Sequence, residues 1–197
     1  MINIAIFASG EGTNAENLFK YFSTSSHVKI KLVVTNNENA GIIKRAEAYK
    51  KNIQIISKTA LYNYTEQIID FLKTEKVDLI VLAGFLLKIP ETLIKAFPHH
   101  IINLHPALLP KFGGKGMYGM NVHKAVVEAK EKESGITVHF VNEEYDKGEH
   151  ILQVKCLLDE NESPESLAKK IHQLEYDYFP KAIEAAIQIN NSSNQNT

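Results

Sequence analysis

From Ile2 to His105 the chain alternates short apolar runs with stretches of helical spacing, and this alternation leaves few folds open. The runs cover residues 2–8, 28–34, 53–56, 77–83 and 100–105. Runs so short and so largely apolar suit strands covered on both faces. Between them Ala15, Leu18, Phe19 and Phe22 recur at helical spacing, residues 40–49 form a second helical stretch, and Ile68, Ile69 and Leu72 share a face within 64–73. Pro90 is placed to open a short helix through Phe97. The repeated β-α order predicts an α/β fold: a single domain, residues 1–189, on a mostly parallel twisted sheet with helices on both faces, Rossmann-like in plan. Residues 77–83 (VDLIVLA) are the most hydrophobic run and are expected at the centre. Ligands of such sheets sit outside the carboxyl ends of the strands, so the Gly10 loop, residues 84–89 and residues 103–106 are expected to line one rim.

The rest of the chain has a different grammar. Residues 111–120 (KFGGKGMYGM) carry four glycines and no periodicity, which predicts a mobile loop or an ordinary surface excursion. A helix over 121–130 and a polar turn over 131–134 follow. Residues 136–141 alternate, with Thr137 and His139 on one face. Residues 142–148 form an acidic turn containing Asp146. The run 150–157 is expected to pair antiparallel with its predecessor because the connection is short. Ser163 and Pro164 cap a last helix running to about Ile189, and the polar tail 190–197 (NNSSNQNT) is expected to be disordered.

Charge excludes some classes. With 22 basic and 23 acidic side chains the net charge is -1, which offers no bulk attraction to nucleic acid or to an anionic membrane. The first apolar run is too short to span a bilayer and lacks the basic flank of a signal peptide. The single cysteine, Cys156, excludes an internal disulfide and its apolar flanks suit an inert, packed thiol. A cytoplasmic protein is expected. The eight histidines show no i, i+4 pair beside a carboxylate, so no metal site is expected.

Two stretches carry candidate chemistry. Gly10, Gly12 and Ala15 satisfy G-x-G-x-x-G/A between a strand and a helix, with Thr13 or Asn14 as the expected helix cap. Such a turn suits a phosphate at the helix start, although many α/β turns use glycine and bind nothing. A dinucleotide would also want an acid at the end of the second strand. That strand ends at Thr35, Asn36 and Asn37, and the first acid is Glu38. The second stretch is 101–110, IINLHPALLP. Asn103 and His105 stand two apart on an extended backbone and so point to one side, until Pro106 ends the strand. An amide donor and an imidazole aimed together suit an oxygen that becomes negative during reaction, or they satisfy a turn. Acyl or formyl transfer needs those donors, a proton shuttle and a group to hold the imidazole charged; Asn103, His105 and Asp146 supply these. No serine or cysteine stands in a nucleophile motif, so direct attack by a substrate amine is expected.

In ASGEGTN (8–14), VLAGFLLKIP (81–90), INLHPALLP (102–110), GITVHFVNEEYDKG (135–148) and HQLEYDYFP (172–180), the chain resembles the folate-dependent phosphoribosylglycinamide formyltransferase family from Ile2 to about Ile187. The resemblance implies transfer of a formyl group from 10-formyltetrahydrofolate, a cosubstrate, to the amine of 5'-phosphoribosylglycinamide in purine biosynthesis, by a monomer or weak homodimer. It makes Asn103, His105 and Asp146 catalytic, with Asp146 raising the pKa of His105 and Thr137 and His139 in support. It places the ribonucleotide phosphate on Gly12, Thr13 and Asn14, and the ribose on Glu175, with His172, Gln173 and Leu174 as its wall. It places the folate against Leu86, Leu87, Lys88, Ile89, Asn103, Asn142, Glu143, Glu144 and Tyr145, largely through main-chain groups. The chain departs from the family pattern at Leu87, often arginine there, in 59–64, where another arginine is missing, and in a longer loop after Pro110. Related alternatives are methionyl-tRNA formyltransferase, which normally adds a C-terminal domain and a basic surface, and formyltetrahydrofolate hydrolase, which normally adds an N-terminal one. A non-catalytic nucleotide-binding module and a nicotinamide oxidoreductase are alternatives of other classes.

Overall fold

The computed structural model describes residues 1–194. The chain groups into two compact units, Met1–Ile102 and Asn103 onward. No linker marks the division, which falls inside a strand.

The first unit opens with β1 (Ile2–Phe7), α1 (Thr13–Tyr21), β2 (Val28–Thr35), α2 (Gly41–Ala48) and β3 (Asn52–Ile55). It continues with α3 (Lys58–Asn63), α4 (Thr65–Thr74), β4 (Leu79–Leu82) and α5 (Glu91–Ala96). β1 pairs in parallel with both β2 and β4, and β2 pairs in parallel with β3. Ile4, Ala5, Ile6 and Phe7 are fully buried, as expected of a strand with a neighbour on each side. The helix expected over 64–73 is present as α4. It is preceded by α3, which the apolar spacing did not signal because only Leu61 of α3 is buried. Ser57 caps α3 by accepting the Ala60 N–H at 3.1 Å.

β5 (Ile101–His105), α6 (Met120–Glu128), β6 (Glu133–Phe140), β7 (His150–Leu157) and α7 (Pro164–Asn194) complete the chain. β6 and β7 form the expected antiparallel hairpin, with Thr137 opposite Gln153. The hydrogen-bonded strand order is β3-β2-β1-β4-β5-β6-β7, so the most hydrophobic run is the middle strand. β6 begins at Glu133, inside the turn expected over 131–134. Ser163 Oγ accepts the Ser166 N–H at 3.1 Å, the cap expected for the last helix. α7 continues past Ile189 to Asn194, so residues 190–194 of the expected disordered tail are helical; 195–197 lie outside the described residues.

Candidate active site

Strand alternation brings Asn103 and His105 to the same carboxylate. Asp146 Oδ2 lies 3.6 Å from His105 Nδ1, and its Oδ1 lies 3.5 Å from Asn103 Nδ2. His139 adds its Nε2 at 3.6 Å from Oδ1. Asp146 itself sits in the turn after β6 with φ +55°, a conformation costly for a residue with a side chain. The glycine-rich loop holds it there. The Gly114 N–H donates to Asp146 Oδ2 at 2.8 Å. At Gly113 a Cβ would come within 2.6 Å of Leu109 Cδ2 and 3.2 Å of Asp146 Cβ, so glycine leaves room here for the Leu109 side chain and the stem of Asp146.

Carbonyl partners fix the ring tautomers, because a carbonyl only accepts. His139 Nδ1–H donates to Phe140 O at 2.8 Å, which leaves Nε2 to accept from Asn103 Nδ2 at 3.2 Å. His105 Nε2–H donates to Phe112 O at 2.8 Å, so its Nδ1 faces Asp146. A proton on Nδ1 makes His105 an imidazolium against a carboxylate.

Burial as well as Asp146 acts on the pKa of His105. Asp146 pulls it upward as expected, and so does the Phe112 carbonyl. Burial outweighs both, and with the neighbouring His139 it holds the ring below the ordinary histidine value. His105 is only 3% exposed, a property that sequence spacing does not report. Burial alone would raise the Asp146 carboxyl, but His139 and His105 in their protonated forms and the Gly114 N–H hold it below its usual range.

Thr137 supports the turn that follows β5. Its hydroxyl donates to Ala107 O at 2.7 Å and accepts the Leu109 N–H at 3.0 Å. Gln153, which the sequence did not single out, donates to Leu109 O at 3.0 Å and to Thr137 Oγ1 at 2.9 Å. On α7, Glu175 is buried and its Oε2 lies 2.9 Å from His172 Nδ1, an ion pair that raises the His172 pKa. Gln173 faces elsewhere and pairs with both carboxyl oxygens of Asp177. In the acidic turn, Asn142 Oδ1 accepts the Glu144 N–H at 3.1 Å; Glu143 and Tyr145 are exposed.

In the first unit, the cap of α1 is Gly12, with φ +73° and no side-chain bond, rather than Thr13 or Asn14. A Cβ on Gly12 would meet the Ile42 side chain and lie 2.9 Å from Ile42 Cα. Arg45, the only arginine of the chain, donates from Nε to Glu11 O at 2.7 Å and pairs with Glu16. It braces the glycine turn. Of the main-chain groups in 86–89, the Leu86 N–H already donates to Ser9 Oγ at 2.9 Å, and Lys88 O accepts from the Tyr62 hydroxyl at 3.0 Å. Ser9 and Tyr62 thus shape this segment from distant positions. Leu86 projects an exposed side chain and Ile89 a buried one.

Among the described residues no cluster of three or more His, Cys, Asp or Glu is placed to hold a metal ion, and no helix is long and apolar enough to cross a membrane.

A family profile described as formyl transferase matches residues 2–183. The chain is 38% identical over 187 residues to the chloroplastic phosphoribosylglycinamide formyltransferase of Arabidopsis thaliana; the match covers 92% of this chain but 64% of the plant protein, less than two thirds of its length. It is 34% identical over 195 residues to the phosphoribosylglycinamide formyltransferase of Bacillus subtilis, covering 97% of each. Among solved structures, the phosphoribosylglycinamide formyltransferase of Anaplasma phagocytophilum superposes with a TM-score of 0.84 at 35% identity, over 92% of this chain and 84% of the other.

Proposed function

Because the chain belongs to the formyl transferase family, we propose that it transfers a formyl group from 10-formyltetrahydrofolate to the amine of 5'-phosphoribosylglycinamide, releasing tetrahydrofolate and 5'-phosphoribosyl-N-formylglycinamide. The observation that carries this reading is the Asp146 carboxylate facing Asn103 Nδ2 and His105 Nδ1 together.

The amine attacks the formyl carbon and the carbonyl oxygen becomes an oxyanion. The Asn103 amide and protonated His105 are the donors that stabilise it. Asp146 favours the imidazolium, and His105 passes a proton to the departing folate nitrogen. The amine's own proton leaves through water near Asp146. In the structure His105 Nε2–H is donated to Phe112 O, so the loop carrying Phe112 must withdraw before that hydrogen reaches substrate. In this reading the loop 111–120 acts as a lid. The helix start at Gly12, Thr13 and Asn14 takes the phosphate. Buried Glu175, steadied by His172, takes the ribose hydroxyls, and the exposed Leu86 with residues 142–145 serves the pterin. The protein works in the cytoplasm on small molecules, without nucleic acid, as a monomer or weak homodimer.

The test mixes protein with glycinamide ribonucleotide and a 10-formyl folate and follows deformylation by absorbance. Turnover strictly dependent on the ribonucleotide, with formylated ribonucleotide as product, is the expected result. Deformylation without the acceptor would point to the hydrolase, and no turnover by folded protein would end the proposal.

A further inference from the structure

One buried histidine takes no part in the site as described so far. His123 lies on α6, just after the glycine-rich loop, and is 4% exposed. Its Nδ1 is buried and has no hydrogen-bond partner. The large majority of buried polar atoms in folded proteins are hydrogen-bonded, and leaving one unmade is unfavourable. An exception calls for a reason, and a bound molecule that supplies the missing partner is one. The surroundings indicate which molecule. α6 packs against α7, the helix that carries His172 and Glu175. Burial lowers the His123 pKa; Glu175 opposes this, while His172 and His105 add to it. His123 therefore stands under the influence of both the proposed ribose-holding carboxylate and the catalytic imidazole, and burial disfavours a charge on its ring. An imidazole whose charged form is disfavoured suits an uncharged hydrogen-bonding partner.

In 5'-phosphoribosylglycinamide the group between the ribose and the reacting amine is an amide. We propose that His123 is a substrate-binding residue whose Nδ1–H donates to the carbonyl oxygen of that amide. The inference rests on the functional reading above, in which Glu175 holds the ribose and His105 the reacting end. The substrate fills the buried vacancy in hydrogen bonding, and the bond fixes the amine relative to the formyl carbon. Folding alone does not require the imidazole at this position; turnover does.

The test compares wild type with His123→Leu and His123→Asn. The leucine removes both ring nitrogens at similar bulk, and the asparagine keeps an amide N–H near the Nδ1 position. For His123→Leu, kcat/KM for the ribonucleotide should fall about tenfold, the value of one neutral hydrogen bond. The KM for the formyl folate should not change, and Tm should hold or rise because an unsatisfied buried polar atom has been removed. His123→Asn should recover most of the lost kcat/KM. An unchanged ribonucleotide kcat/KM in the leucine variant, or an equal loss for both substrates, overturns the proposal. If the leucine variant does not fold, His123→Phe replaces it, and the proposal stands only if His123→Asn exceeds it in ribonucleotide kcat/KM. Wild type that lacks ribonucleotide-dependent turnover overturns the functional reading itself; active wild type with indifferent variants overturns only the role of His123.

Discussion

The loops that follow β1 and β5 use glycine for opposite ends. After β1, Gly12 lets the backbone turn at φ +73° against Ile42, and Arg45 braces the neighbouring carbonyl of Glu11. The partners of Gly12 and Glu11 in this turn, Ile42 and Arg45, lie within the first two β-α repeats. After β5, Gly113 leaves room for the side chain of Asp146 and Gly114 donates to its carboxylate. That carboxylate comes from the far side of β6. The first glycine serves the fold, whereas the second pair serves a charged group whose position the fold alone would not need. Loss of the first should therefore appear as lost stability, and loss of the second as lost turnover.

The largest expected effect isolates the charge. Asp146→Asn keeps the shape of the side chain and removes the carboxylate that favours His105 imidazolium. The kcat/KM should fall about 10³-fold, within the usual range for positioned acid–base groups, while circular dichroism stays that of wild type. A loss of tenfold or less would mean that His105 works without the charge, and the contrast between the two loops would lose its chemical half.

The glycine pair tests the contrast directly. Gly12→Ala forces a side chain onto a left-handed backbone and into Ile42, and should destabilise by about 2 kcal/mol, read as a lower Tm or denaturant midpoint. Gly113→Ala should push the loop off Leu109 and Asp146, and reduce kcat/KM by about tenfold to a hundredfold through misplacement, with a smaller change in Tm. If the two variants exchange these signatures, the assignment of one loop to stability and the other to chemistry is reversed.

How much of this was legible in the sequence follows the same division. The parallel strands were legible because residues 4–8 and 79–83 are apolar without interruption, as burial on both faces requires. Asn103 and His105 could be put on one side because strand alternation is a local rule. The cap at Gly12 was missed because Thr13 and Asn14 have the better capping side chains, while a positive φ has no signature beyond glycine itself. Arg45, Ser9 and Tyr62 were missed because each acts on a backbone group more than twenty residues away, and nothing local marks that meeting. Gln153 could have been found by carrying the hairpin register one step further, since it lies opposite Thr137. The upward pull of Asp146 on the His105 pKa was legible but its net direction was not, because spacing names the charged partner but not the depth of burial, and burial is the larger influence.

Gln153 gives a smaller test on the side of the chemical loop. Gln153→Met keeps the length and apolar stem but removes the donor to Leu109 O and Thr137 Oγ1. Thr137 keeps its bonds to Ala107 and Leu109, so the expected loss is about 1 kcal/mol of stability, that of one net hydrogen bond. A measured loss above about 3 kcal/mol would show that the turn after His105 hangs on Gln153 rather than on Thr137.

The smallest expected effect is in pH dependence, and its sign separates the two causes acting on His105. Its folded pKa lies below the ordinary value of 6.5, chiefly through burial, and so does that of His123. Between those folded values and 6.5 the unfolded chain binds more protons than the folded one, so acid favours unfolding. The contribution is full above 6.5 and is lost as pH falls through the folded pKa. His172 runs the other way: Glu175 raises its pKa, so its contribution is present below 6.5 and is lost as pH rises through the folded value. Its half-exposed side chain leaves that pair screened and small. Tm should therefore decline on acidification below 6.5, and His105→Gln should flatten part of the decline. Imidazole titration by NMR should place the His105 midpoint below 6.5 in wild type and lower still in Asp146→Asn, because the carboxylate that opposes burial is gone. A wild-type midpoint above 6.5 would make Asp146 the dominant influence, and the loop that carries it would then hold His105 charged in the resting protein rather than only when substrate is present.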